Sequence, residues 1–275
     1  MITPASSGPM QRRWQWPPLV SLSLGIHVAA AVAVLAIPSS WPWALAAVVL
    51  NHALLATVGL LPRSHWLGAN WTRLPDASAA RGEVALTIDD GPDPVVTPAV
   101  LDLLDLHGAK ATFFCVGRQA ALYPEICRTI VQRGHRVENH SQFHRHNFSL
   151  LGPAGFRREL EAAQATLTAI TGASPQFVRA PAGLRNPFLD AALQRTGLRL
   201  ASWTRRAYDT RQGDPAVVLR KLCSSLQAGD ILLLHDRHAA LTPRGVPVIL
   251  EVLPALLQAL TQAGLRPVTL REALA

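Results

Sequence analysis

Two apolar stretches, about Pro18 to Pro38 and Trp41 to Leu61, lie in a window from Trp14 to Pro62 that contains no Asp, Glu, Lys or Arg. Each is near the ~20 residues a helix needs to cross the hydrocarbon core of a bilayer. The segment Ile37–Pro42 between them, with its prolines and serines, predicts a tight turn. Six of the seven tryptophans fall in pairs at the ends of these stretches: Trp14 and Trp16, Trp41 and Trp43, Trp66 and Trp71. Indoles collect at the headgroup level, so the pattern predicts a hairpin of two transmembrane helices over residues 17–61. A cleaved secretory leader fits less well, because the first stretch exceeds the usual apolar region of roughly 7–15 residues and lacks a small-x-small cleavage site. His27, Asn51 and His52 lie inside the spans and are expected to hydrogen-bond between the helices.

After a linker over 62–81 the pattern changes to an alternation of short β-rich runs and amphipathic segments, which defines a domain over 82–275. Strands are predicted at Glu83–Asp89, Ala111–Gly117, His135–His140, Phe177–Arg179, Leu198–Thr204, Asp230–His235 and Pro267–Leu270. Helices fit at 97–107, 119–133, 153–171, 187–196, 215–228 and 246–264. Near-continuous apolar strands separated by helices predict an α/β domain with a parallel sheet, open or closed into a barrel. Such folds place chemistry at the C-terminal ends of their strands.

Composition refines this picture. Charged residues are 16% of the 275 and hydrophobic ones 49%, which excludes a disordered chain. The formal charge of +8 comes from 24 Arg and only two Lys among the 26 basic residues. No basic run or aromatic-interleaved stripe accompanies it, so a nucleic-acid partner is not expected. Cys115, Cys127 and Cys223 are widely spaced with no CxxC; a disulfide scaffold is excluded and a reducing compartment favoured. Arg12 and Arg13 precede the first span and Arg63, Arg73 and Arg81 follow the second, while the turn between has no cation. The positive-inside rule then predicts a multi-pass inner-membrane protein with residues 1–16 and the domain over 82–275 both cytoplasmic.

Four strand ends carry candidate chemistry. The first reads Thr87-Ile88-Asp89-Asp90-Gly91-Pro92-Asp93. Neighbours on a strand point to opposite sides, so the adjacent carboxylates can split roles, one toward a metal and one toward a proton; a helix-capping turn is the plainer reading. The third strand ends Asn139-His140-Ser141-Gln142-Phe143-His144-Arg145-His146. His140 and His144, spaced i, i+4, suit a two-histidine, one-carboxylate metal site with open positions. His146 is out of phase and reads as a substrate contact or a surface residue. Arg179-Ala180-Pro181-Ala182-Gly183 puts an arginine at a strand end, where it can hold a carboxylate ionised, before a turn whose N–H could face an oxyanion. Asp230–Asp236 delivers His235 to the rim, where a histidine suits general-acid work.

Together and in this order, TIDDGPD, HSQFH, RAPAG and LLLHD resemble four of the five signature motifs of the NodB-homology polysaccharide deacetylases, carbohydrate esterase family four, over roughly residues 82–272. The resemblance implies a distorted (β/α) barrel of about seven strands and a divalent metal ion, often Zn²⁺. By position it implies Asp90, His140 and His144 as metal ligands, Asp89 as catalytic base, Arg179 as its positioner and His235 as general acid. The backbone N–H of Ala182 is a candidate oxyanion donor. One motif departs from the family pattern: after Trp203, Arg206 stands where an acid is usual and Asp209 occupies the second acidic position. Arg206, with Arg205 and Arg211 nearby, suits a substrate bearing negative charge; drift at a supporting position is the alternative. Arg206, Asp209 and His146 are therefore grouped as substrate-binding candidates.

A cytoplasmic catalytic domain on a membrane anchor has N-acylated sugars available as carrier-lipid phosphates. The expected activity is deacetylation of an undecaprenyl-phosphate-linked N-acetylhexosamine, for lipid A or another envelope glycan. The alternatives are deformylation of a lipid-linked amino sugar, or an exported polysaccharide or peptidoglycan deacetylase with the opposite topology. A two-histidine, one-carboxylate iron oxygenase leaves the Asp89–Asp90 pair unexplained. A non-catalytic envelope-binding module leaves both the base and the acid without a use.

Overall fold

A computed structural model describes residues 16–275, so the expected cytoplasmic segment 1–16, with Arg12, Arg13 and Trp14, lies outside the described residues apart from Trp16. Helices α1 (Pro18–Ala36) and α2 (Trp41–Gly59) are joined by one 3-10 turn, Pro38–Ser40. Each begins with a proline in its first turn, where the missing N–H would have no intrahelical partner. Only 6% and 17% of their apolar windows are buried, so neither is a core helix. By length and composition they fit membrane spans or an N-terminal leader. Asn51 Nδ2 donates to Ser23 Oγ at 2.8 Å across the pair. His27 and His52 instead bond carbonyls one turn back in their own helices, and their rings meet edge to face at 5.2 Å.

The α/β domain follows as α3 (Asp76–Ala80), β1 (Glu83–Asp89), α4 (Val96–Leu106), β2 (Thr112–Cys115), α5 (Gly117–Leu122), α6 (Pro124–Gln132), β3 (Arg136–Asn139) and α7 (Pro153–Thr171). It continues with β4 (Phe177–Val178), α8 (Leu189–Thr196), β5 (Arg199–Leu200), β6 (Arg205–Arg206), α9 (Pro215–Cys223), β7 (Ile231–His235), α10 (Val248–Gln262) and β8 (Arg266–Val268). The strands form one parallel sheet in the order β5-β4-β3-β2-β1-β7-β6, with β8 beside the start of β1. The helix expected over 119–133 is two helices, α5 and α6. Pro124 causes the break, because it lacks the N–H that would continue the ladder.

The strand expected over Leu198–Thr204 is also two strands, and the division shapes the fold. β5 pairs with β4 at one edge of the sheet and β6 pairs with β7 at the other. Only Ala201–Thr204 separate them, a reach of about 13 Å for extended chain, so the sheet must curl until its edges approach. Residues 71–74 fill the seam. Trp71 bridges Ala201, Arg73 bridges Asp230, and Leu74 N donates to the Gly229 carbonyl. Residues expected to form a linker are thus bonded into the wall.

Alternation along β1, buried throughout, serves two cores. Val84, Leu86 and Ile88 pack outward with Phe113, Leu232 and Leu234 against the helices. Ala85 packs inside the curl with Phe114, Phe177 and Ile231. Truncating an outer residue such as Leu86 to alanine would cost about 2–5 kcal/mol. The inner row of β1 continues from Ala85 through Thr87 to Asp89, which brings the strand's last side chain to the mouth of the curl.

Candidate active site

Asp89 and His235 arrive from neighbouring strands as register partners. Asp90 should face the other way, but its φ of 77° breaks the alternation and turns its carboxylate toward the same mouth. Gly91 is required next by close approach: a Cβ there would lie 2.3 Å from the Asp236 carboxylate. Burial pushes the Asp236 carboxyl up to about 7, opposed by hydrogen bonds from Thr97 and the Arg237 N–H.

His140 follows β3, and its Nδ1 lies 2.9 Å from the Arg179 carbonyl. A carbonyl can only accept, so Nδ1 carries a proton and Nε2 is the atom left to face Asp90. His144 sits on a turn with φ of 63° at Ser141 and 49° at His144 itself. The buried carboxylate of Glu159 on α7 pins that turn, accepting from the Gln142 and Phe143 N–H groups and from Arg145. The result places Nε2 of both His140 and His144 3.2 Å from Asp90 Oδ1.

These three donors, within 4.8 Å of one another, fit a divalent cation. Tetrahedral Zn²⁺ with ligand distances near 2.0–2.1 Å separates its ligands by about 3.3 Å, close to the spacings seen. The electrostatics agree. Burial raises the Asp90 carboxyl, but hydrogen bonds from His140, His144 and His238 outweigh it and hold the group far below the usual range. Burial likewise lowers His140, yet the charges of Asp89 and Asp90 raise it overall. The centre stabilises positive charge, and a bound cation would displace protons from it.

Arg179, 1% exposed, anchors the opposite side. Its Nη1 donates to Asp89 Oδ1 at 2.7 Å and to Thr87 Oγ1 at 2.8 Å. Nε and Nη2 reach the carbonyls of Ala201 and Ser202, and the guanidinium stacks over Phe114 at 4.2 Å. Asp89 is its only carboxylate partner among the described residues. Asp209 is fully buried, a correction to its expected place among substrate contacts. It accepts from His235 Nδ1 and from the His235 N–H, each at 2.8 Å. Burial lowers His235, but the hydrogen bond and charge of Asp209 prevail and raise it.

Ala182 is exposed, with φ of 55°, and the internal hydrogen bonds of its turn come from the N–H groups of Gly183 and Leu184. His146 is exposed and lines a cavity of about 250 Å³ with Asp90, His144, Arg118 and His238. His238, with Nδ1 3.6 Å from Asp90 Oδ2, was not singled out from the sequence, although it lies only three residues beyond His235. Glu159 was missed as well, because it acts from the following helix, with no motif linking it to the histidine turn. Arg205 parts from Arg206: on adjacent strand positions they face opposite ways, and Arg205 pairs with Asp230 and the carbonyls of Ser224 and Ser225.

The sequence model of the polysaccharide deacetylase family matches residues 76–201. A chitooligosaccharide deacetylase from Bradyrhizobium sp. (strain ANU 289) is 36% identical over 164 residues, 59% of this chain and 74% of that protein. A peptidoglycan-N-acetylglucosamine deacetylase of Bacillus cereus is 31% identical over 178 residues, 64% of each chain. Among solved structures, a mutant with restored activity of the Bacillus anthracis family-four pseudoenzyme BA3943 superposes with a TM-score of 0.67. It is 25% identical and covers 75% of this chain and 71% of its own. Sequence likeness, curled sheet and strand-end motifs coincide, and the chain belongs to the polysaccharide deacetylases, hydrolases of carbon–nitrogen bonds in non-peptide amides.

Proposed function

We propose that the chain is a metal-dependent N-deacetylase that removes acetyl from an N-acetylhexosamine carried on undecaprenyl phosphate at the cytoplasmic face of the inner membrane. The observation that carries the chemistry is the convergence of Asp89, His235 and the Asp90–His140–His144 cluster at one mouth of the sheet. Asp90, His140 and His144 would hold the divalent ion, Zn²⁺ by donor type. When bound, that ion supplies a Lewis acid for the amide carbonyl and makes a nearby water more acidic.

The chain's own groups do the rest. Asp89, aimed by the hydrogen bond from Arg179, accepts the proton of the attacking water. The Ala182 N–H stands as donor to the carbonyl oxygen as charge grows there. His235, held by Asp209 through Nδ1, uses Nε2 to protonate the departing amine, which would otherwise be too basic to leave. The products are a free amino sugar and acetate.

The membrane half of the proposal rests on how the hairpin meets the site. The Arg185 N–H donates to the Gly59 carbonyl, and a Cβ at Gly59 would lie 2.3 Å from the Arg185 carbonyl. Pro62, just beyond α2, accepts from Ser202 Oγ and packs on Gly183 of the RAPAG turn. Leu150, Phe188, Trp66 and Tyr208 are exposed around this junction. An apolar rim continuous with two apolar helices suits a substrate presented from a bilayer. Arg63 and Arg206, which have no carboxylate partner among the described residues, favour a phosphate-bearing carrier over a neutral polysaccharide.

The listening point for this reading is the carrier-lipid pool. Mass spectrometry of cells with and without the gene should show the N-acetylated sugar lipid accumulating on deletion; an unchanged pool contradicts the substrate. An exported deacetylase is the second reading, favoured by the chitooligosaccharide and peptidoglycan relatives. It requires the domain to face the other side of the membrane. Formyl in place of acetyl would use the same groups and release formate.

A further inference from the structure

A groove of about 840 Å³ lies between the end of α2 and the segment Trp203–Tyr208. Its two ends differ in chemistry. Leu54 and Leu61 give it an apolar floor that is continuous with the exposed face of α2. Arg63, His65 and Arg206 line the other end, and no carboxylate lines the groove.

Arg206 is the informative residue. Its guanidinium lies between two aromatic rings, 5.1 Å from Trp203 and 4.9 Å from Tyr208. It has no acidic partner among the described residues, and its Nε is buried without a hydrogen bond. Arg63 is pinned by Nη1 to the Thr204 carbonyl at 3.2 Å and likewise has no acidic partner among the described residues. Two guanidiniums held in place without an acidic partner form a cationic end that a phosphate can join through paired N–H donors. The Arg206 and Arg179 guanidiniums share one aromatic neighbour. Only the Trp203 indole intervenes, 5.9 Å from the Arg179 guanidinium.

We infer that this groove binds the phosphate-bearing end of an amphiphile, a polyprenyl phosphate, with Arg63 and Arg206 on the phosphate and Leu54 and Leu61 against the first part of the chain. A planar guanidinium stacked on aromatic rings keeps its N–H edge directed at the phosphate oxygens. The inference rests on the proposed lipid-linked substrate and adds the residues that would select it. It gives a use to Arg206, the arginine that stands where an acid was expected.

The test uses the full chain in detergent micelles, with undecaprenyl phosphate as the probe and binding read by native mass spectrometry and tryptophan quenching. Wild type should bind the phosphate, and the matching polyprenol without phosphate should bind at least about tenfold more weakly. R63Q and R206Q should each weaken binding by about tenfold, the scale of one hydrogen bond to a charged group, with an unchanged melting temperature. Equal affinity for the polyprenol, or full competition by inorganic phosphate at equal concentration, overturns the groove as an amphiphile site. The two readings fail separately. If wild type releases acetate from the lipid-linked sugar while both variants keep its KM, the groove is wrong and the substrate stands. If the variants lose binding but wild type releases no acetate from that sugar, the groove stands and the substrate is wrong.

Discussion

Asp89 on β1 and His235 on β7 are register partners on adjacent parallel strands, so the proposed base and acid are neighbours across one rung of the sheet. Their separation is set by backbone pairing, and neither depends on a loop for its place. D89N and H235A should each lower acetate release by roughly 10²–10⁴-fold, the usual scale of general acid–base catalysis. Calorimetric metal titration should show D89N still binding the ion. Unchanged turnover in either variant removes that residue from its role.

Metal dependence follows from the other three side chains. Prolonged chelation should abolish acetate release, and stoichiometric Zn²⁺ should restore it. H140A and H144A should lose the ion by elemental analysis, and D90A should do the same. Full activity in a chelated, metal-free preparation contradicts the assignment.

The Asp209–His235 pair predicts a pH effect with a definite sign. His235 acts when protonated, and its folded pKa is raised overall, because Asp209 outweighs the effect of burial. Activity should therefore persist above the ordinary histidine range and fall as pH rises through the raised value. D209N removes the charge that raises it, so the alkaline limb of kcat/KM should move to lower pH. A limb that does not move shows that another group sets it. The same pair contributes stability that is complete below the unfolded histidine pKa and lost as pH rises through the folded one.

His135 predicts an acid-side effect away from the site. Burial, helped by Lys110 and Arg133, lowers its pKa to about 4. Its Nδ1 accepts from the Ala111 N–H, and its buried Nε2 has no hydrogen bond and lies 4.0 Å from Asp105 Oδ1. The unfolded chain binds this proton first, so stability should fall as pH drops from about 6.5 toward 4, by about 3 kcal/mol. H135N should flatten that part of the denaturation profile; an unchanged profile means His135 does not titrate there.

The legible parts of this molecule were those encoded by short-range pattern. Glu83–Asp89 reads as a buried strand ending in two acids, and it is one. The charge-free window reads as two long apolar helices, and α1 and α2 fill it. His140 and His144 read as a ligand pair by spacing alone, and they converge on Asp90. The illegible parts depend on where the chain goes next. Nothing local to Leu198–Thr204 says that four residues carry the chain from one sheet edge to the other, or that Trp71 will fill the seam. Asp209 reads from its motif as a substrate-binding candidate, yet it is fully buried, because burial is not written in a residue's neighbours. Glu159 and His238 gained their places by long-range packing and a loop reversal.

Orientation across the membrane is the expectation that separates the proposed substrate from exported ones. A fluorescent protein fused after Ala275 should mature and a phosphatase fused there should stay inactive. An active phosphatase places the domain outside and favours the polysaccharide reading.

The most direct measurement is acetate release by the purified full chain, loaded with Zn²⁺ in detergent micelles, from N-acetylhexosamine linked to undecaprenyl phosphate. The account predicts that each turnover yields one acetate and one free amine on the lipid-linked sugar, and that D89N yields neither. Absence of acetate from the wild-type enzyme while a chitooligosaccharide or peptidoglycan fragment is deacetylated under the same conditions would contradict it.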